Sequence, residues 1–116
     1  MIRLMSVKDY EKVYALWTGT KGMGMRSLDD SQEGIKKFLN RNPNTCFVYE
    51  EEGSIIGCIL CGHDGRRAYI YHAAVAENYR RKGIGSMLLK QVYESLEKEG
   101  INKAALVVFT NNIIGN

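Results

Sequence analysis

The sequence predicts an α/β (α+β) domain in the order β-α-α-β-β-β-α-β, and three observations carry that prediction. Apolar residues switch along the chain between a spacing of two and a spacing of three to four, which separates strands from helices. Residues 45–75 hold three β-branched and aromatic runs joined by two polar, glycine-bearing turns, the pattern of a meander. Between the last of those runs and an amphipathic helix lies Tyr79-Arg80-Arg81-Lys82-Gly83-Ile84-Gly85-Ser86, a basic loop with two glycines.

Each element has its own signal. Ile2-Arg3-Leu4-Met5 reads as a first strand, and Ser6-Val7-Lys8-Asp9 as a capping-box variant in which Asp9 favours the first helical turn. Tyr10, Val13, Tyr14 and Trp17 share one helical face and are expected in the core. Residues 18–30 (TGTKGMGMRSLDD) have no period, so a mobile, functional loop is expected there. Ser31 or Asp30 caps a second helix that turns Ile35, Phe38 and Leu39 inward. Arg41-Asn42-Pro43-Asn44, with the only proline, stops it. Strands over 45–50 and 55–61 follow, and Asp64-Gly65 marks the hairpin into a third, over 68–75. The next helix, from about Ile84, is expected to bury Met87, Leu88, Val92 and Leu96 and to end at Gly100. Residues 104–109 are apolar throughout and predict a last strand buried on both faces.

Composition narrows the function. The 116 residues form one domain, 1–116, and a net charge of +3 is too small to argue for nucleic acid. No apolar run approaches the ~20 residues that span a bilayer, and the N-terminus carries no secretory pattern. A cytoplasmic protein of bacterial type is expected, with no membrane partner. Cys58 and Cys61 have the C-x-x-C spacing but fall inside a strand, where positions three apart face opposite ways. A redox pair needs a helix N-terminus, and zinc needs a second ligand pair. Buried reduced thiols, Cys46 included, are the expectation, and no metal site.

The basic loop is where chemistry is legible. Gly83 and Gly85 remove β-carbons that would hold a ligand off the backbone, so several N–H groups can converge on one phosphate. The helix dipole adds partial positive charge there, and Arg80, Arg81 and Lys82 add full charges. The expected ligand is a pyrophosphate.

This element order, with Arg80-x-x-Gly83-x-Gly85 between the fourth strand and third helix, resembles the GNAT superfamily of N-acetyltransferases over essentially the whole chain. The resemblance implies a mixed, mostly antiparallel sheet, here lacking the family's last helix and two strands. It implies acetyl-CoA as cosubstrate and transfer to a primary amine, of a small molecule or peptide, by direct attack in a ternary complex. Arg80, Arg81, Lys82, Gly83, Ile84, Gly85 and Ser86 match the pyrophosphate loop. Ala73, Ala74 and Val75 match the strand segment that pairs with the pantetheine arm, where a β-bulge frees an N–H for the acetyl oxygen. Asn112 matches an asparagine near the thioester.

Two glutamate bases used in parts of the family are absent, since Tyr69 and Val107 stand at those positions. The family's leaving-group tyrosine, on the helix after the fifth strand, falls beyond residue 116. His72, Glu50 and Asp64 remain as possible bases, with His72 readable either as a base or as a core histidine. Tyr69 and Tyr71 are expected on the strand face opposite His72, bordering the acceptor or packing. His72, Tyr71 and Asn112 are thus the candidate catalytic residues, and Tyr69, Arg26, Asp29 and Asp30 the candidate acceptor contacts. Arg66-Arg67 reads as a solvated turn or a contact to an acidic substrate. A bare fifth-strand edge predicts a homodimer. The competing reading is a CoA-binding module with little turnover that acts through self-association.

Overall fold

A computed structural model describes residues 1–19, 30–101 and the backbone of 103–106. Five strands form one sheet in the order β1 (Ile2–Leu4), β2 (Cys46–Glu51), β3 (Ser54–His63), β4 (Arg67–Val75) and β5 (Lys103–Leu106). The first four are antiparallel, and β5 joins β4 in parallel from Arg67↔Lys103 to Ile70↔Leu106. A parallel pair needs a crossover, which α3 (Ile84–Lys98) supplies. The expected element order is the observed one, with short 3-10 turns added before α1 and after β4.

Helices cover both faces of the sheet. On one, Ile84, Leu88, Val92 and Leu96 of α3 pack on Phe47, Ile59, Ile70, Ala73 and Val75. On the other, Val13 and Trp17 of α1 (Tyr10–Thr18) and Ile35 and Leu39 of α2 (Gln32–Arg41) pack on Cys46, Val48, Cys58, Leu60 and Ala74. Double coverage explains why β3 is apolar at nearly every position instead of alternating. Gly57 lets α3 approach closely, because a β-carbon there would sit 3.1 Å from both Ile84 Cγ2 and Leu88 Cδ1.

Two helical positions depart from expectation. Tyr14 and Met87 are each 41% exposed. In both helices the buried ridge is a narrow i, i+4 row, Val13–Trp17 and Ile84–Leu88–Val92–Leu96. Tyr14 and Met87 are each one residue off that row, so about 100° around the helix. Tyr14 stacks on Tyr10 instead, with ring centroids 5.6 Å apart.

The larger correction is on β4. Leu60 pairs with His72 but Cys61 with Ile70, so Tyr71 is an extra residue in the ladder. Up to Ile70 and again from Ala73 the strand alternates, but the bulge shifts the phase. Ala68, Ile70, Ala73 and Val75 face α3. Tyr71 meets Phe38 of α2, Tyr69 lies against Tyr71, and His72 contacts Trp17 of α1. His72 therefore shares a face with Tyr69 and Tyr71, where simple alternation put it opposite them. The bulge also falls at Tyr71, ahead of the regular stretch 73–75 where it was expected.

Candidate functional site

At the C-terminal end of β4 the chain leaves the sheet through Ala76, whose N–H donates to Ile56 O at 2.8 Å. A 3-10 turn (Glu77–Tyr79) follows, and the Arg80 Nε–H then donates to the Val75 carbonyl at 3.0 Å. That bond ties the loop to the strand end, so Arg80 serves the loop's shape as well as its charge. Arg81 at φ 66° and Gly83 at φ 79° both take left-handed backbone. Gly83 is the N-cap of α3, and no side chain caps the helix. The first helical bond runs from Met87 N–H to Gly83 O at 3.0 Å, so the N–H groups of Ile84, Gly85 and Ser86 have no acceptor within the helix. The first turn carries no acidic residue. Arg81 and Lys82 are exposed beside it, the Lys82 Nζ resting 5.3 Å from the Tyr79 ring centre. Open amides, a helix dipole and a basic rim fit an anion of phosphate type.

The edge of β4 on the side of β5 adjoins this loop. Described pairing with β5 ends at Ile70, while β4 continues to Val75. Because Ala76 N–H points to β3 and the register is regular back to Ala73, alternation turns the backbone groups of Ala73 and Val75 away from β3. Those of Ala74 point to β3. The outward-facing backbone of Ala73 and Val75 leads to the loop at residues 80–86.

Behind that edge, on the α1–α2 face, His72 Nε2 lies 2.8 Å from Asp30 Oδ1. Both side chains are 7% exposed. The indole of Trp17 leans on the imidazole with ring centroids 4.8 Å apart. His72 Nδ1 and Trp17 Nε1 are buried without hydrogen-bond partners among the described residues. Asp30, expected at the acceptor, is turned inward to the histidine. Tyr71 is 40% exposed at the bulge, between Tyr69 and Phe38.

The other possible bases lie elsewhere. Glu50 sits on β2, its carboxylate accepting from Arg3 Nε at 2.9 Å. Asp64 is in the turn at the opposite end of β4 from the basic loop. It accepts the backbone N–H groups of Arg66 and Arg67 at 2.9 Å each, and those bonds hold its carboxyl below the usual range. Arg66 and Arg67 occupy that exposed turn and its first strand position. Arg26, Asp29 and Asn112 lie outside the described residues.

All three cysteines are buried and free. Cys58 and Cys61 belong to opposite faces of the sheet, as their spacing requires. Burial pushes the Cys46 thiol up to about 12 and Cys61 to about 11, and raises Cys58 well above its ordinary value. These are neutral packing groups. Among the described residues no cluster of His, Cys, Asp or Glu could hold a metal ion, and no helix is long and apolar enough to cross a membrane.

The Asp30–His72 pair spans 42 positions, and no motif announces it. Its signal in the sequence was confined to an acidic residue at the end of an irregular loop.

Comparison with known proteins agrees with this geometry. An acetyltransferase of Sodalis glossinidius is 32% identical over 111 residues, covering 96% of this chain and 77% of the relative. The structure of Ard1 from Thermoplasma volcanium superposes with a TM-score of 0.79 at 27% identity, over 91% of this chain and 69% of that one. The fold is also that of the PaiA N-acetyltransferase of Thermoplasma acidophilum, solved in complex with coenzyme A. That match has a TM-score of 0.81 at 20% identity, covering 99% of this chain and 82% of that one. The sequence model of the Acetyltransferase (GNAT) family matches residues 10–114. With the strand, anion loop and helix in the order that family uses, this chain belongs to the GNAT acetyltransferases, as an N-acetyltransferase of the small bacterial type.

Proposed function

We propose that this chain transfers the acetyl group of acetyl-CoA to a primary amine, by direct attack within a ternary complex. The observation that carries the reading is the uncapped N-terminus of α3, whose free amides and basic rim adjoin the outward-facing backbone of Ala73 and Val75. The residues present fit the cosubstrate. Gly83, Ile84, Gly85 and Ser86 offer N–H groups to its pyrophosphate, with Arg80, Arg81 and Lys82 around them. Ala73 and Val75 offer backbone groups to its extended arm, as an added strand would be held. The Ala74 side chain packs beneath, facing α1 and α2.

The thioester supplies an activated acyl group whose thiol, with a pKa of ~8.5, leaves readily. The acceptor is the harder partner, because an alkyl amine of pKa ~10.4 is almost wholly protonated at neutral pH. Of the possible bases only His72 lies on β4 next to the bulge, and it takes the ammonium proton. Holding both reactants on one strand supplies much of the rate through proximity. A backbone N–H at the Tyr71 bulge is suited to the developing oxyanion, worth ~3 kcal/mol by comparison with other such donors. Tyr71 and Tyr69 border the acceptor on the α1–α2 face. Arg26 and Asp29 are assigned to acceptor binding and Asn112 to the thioester, on the resemblance alone. A small-molecule or peptide amine fits this arrangement, and the cytoplasm, where acetyl-CoA is abundant, is the expected compartment. The outer edge of β5 is the surface proposed for pairing two copies, and a monomer in sedimentation at high concentration would refute that pairing.

The test is thiol release from acetyl-CoA over a panel of small and peptidyl amines, beside calorimetric CoA binding. Amine-dependent thiol release is the expected result. Binding with no release on any amine would replace this reading with a CoA-binding module.

A further inference from the structure

We infer that Asp30 positions His72 for proton transfer, holding Nε2 so that Nδ1 is the nitrogen that receives the proton. This rests on the reading of His72 as the base and assigns it a partner and a tautomer.

A neutral imidazole has one N–H, and the ring nitrogen bonded to an ionised carboxylate is the one that keeps it. Asp30 Oδ1 at 2.8 Å from Nε2 leaves the Nδ1 lone pair open. Three contacts stop the pair from rearranging. The Tyr10 hydroxyl donates to the Asp30 carbonyl at 2.7 Å. Ser31, the next residue, caps α2 by accepting the Gly34 N–H at 3.1 Å. The Trp17 indole, 4.8 Å away and inclined at 54°, blocks rotation of the imidazole.

A buried polar atom without a partner costs roughly 1–3 kcal/mol, so an unpaired Nδ1 calls for an explanation, as does the neighbouring Trp17 Nε1. Nδ1 has no partner among the described residues. On protonation the imidazolium forms against Asp30, whose charge offsets it in a site with little water. Among the described residues, the other titratable groups on this face include Tyr10 and Tyr14 from α1, Tyr69 and Tyr71 from β4, Cys46 from β2 and Cys58 from β3. Burial raises Tyr10 and Cys58, so both stay neutral.

The step balances. An ammonium N–H bond breaks and its proton passes to Nδ1, a transfer that requires the entering acceptor to open this buried atom. The freed electron pair forms the C–N bond, the C–S bond breaks, and the thiolate takes the second proton from the tetrahedral adduct. His72 returns its proton to solvent.

Two experiments test this. Ring-nitrogen NMR of the wild-type protein, with only His63 to tell apart, should show neutral His72 carrying its proton on Nε2. A proton on Nδ1 would overturn the assignment whatever the activity. In steady-state kinetics, H72Q should lower kcat by ~10²-fold, the scale of a general base. D30N should lower kcat about tenfold, with KM for acetyl-CoA unchanged, and move the acid limb of the kcat/KM profile to lower pH, because the imidazolium loses its counter-charge. D30E should restore part of kcat. If H72Q is impaired while D30N keeps the wild-type profile, the role of Asp30 is refuted and the base stands. If H72Q is as active as wild type, both fall.

Discussion

The two halves of this site are built from different materials. The anion loop is made of backbone, from seven consecutive residues whose φ angles and helix start expose N–H groups. The proposed proton-transfer centre is made of side chains, with Trp17 from α1, Asp30 from just before α2 and His72 from β4. A backbone site tolerates loss of a side chain and fails when its dihedral angles are denied. A side-chain site does the reverse.

The largest expected effect is on the side-chain half. Trp17→Ala removes a fully buried indole and should lower stability by about 4 kcal/mol, read from the shift in urea midpoint. CoA affinity of the folded fraction should change less than threefold, and a parallel collapse of CoA binding would erase the distinction between the halves. Next, Gly83→Val should weaken CoA binding by ~10²-fold, about 2.8 kcal/mol, with a near-native circular dichroism spectrum. Its β-carbon meets nothing within 4 Å, so the effect belongs to the φ of +79°, which a β-branched residue resists. Calorimetry showing unchanged affinity would remove the loop from the cosubstrate site.

A corner outside both halves supplies a control. Asp9 receives Arg3 Nη1 at 2.9 Å and Nη2 at 2.7 Å, and the Ser6 N–H at 2.9 Å. The Arg3 hydrogen bonds hold its carboxyl below the ordinary 3.8. A depressed carboxyl contributes stability in full above its unfolded value and loses it as pH falls through the folded one. Asp9→Asn should therefore cost on the order of 2 kcal/mol at neutral pH, and its deficit should shrink below about pH 4. Acid titrations of stability check this, and neither CoA binding nor the kcat profile should move. The smallest effect belongs to a cradle side chain. Lys82→Ala should weaken CoA binding by about threefold in low salt and by nothing measurable near 1 M, as expected for an exposed charge.

Legibility follows the same division. The cradle could be read because its residues are contiguous and glycine, cation and helix start each have a local signature. The strand and helix order could be read for the same reason. Local pattern failed at Tyr14 and Met87, where the sheet accepted only a narrow i, i+4 ridge, and at β4, where alternation was carried through a position that holds an extra residue. Nothing local marks Tyr71 as a bulge, since the mismatch exists only between β3 and β4.

Amino-acid order alone determined the elements, their sequence along the chain, the neutral buried cysteines and a basic glycine loop at a helix start, proposed to hold an anion. These depend on dihedral preference, hydrophobic period and burial tendency, which act over a few residues. The tertiary structure decided which carboxylate meets His72, which face of β4 carries it, and which candidate bases are bound up elsewhere. Those outcomes depend on register and on contacts 40 and more residues apart, where one inserted residue turns a side chain from one face of a sheet to the other.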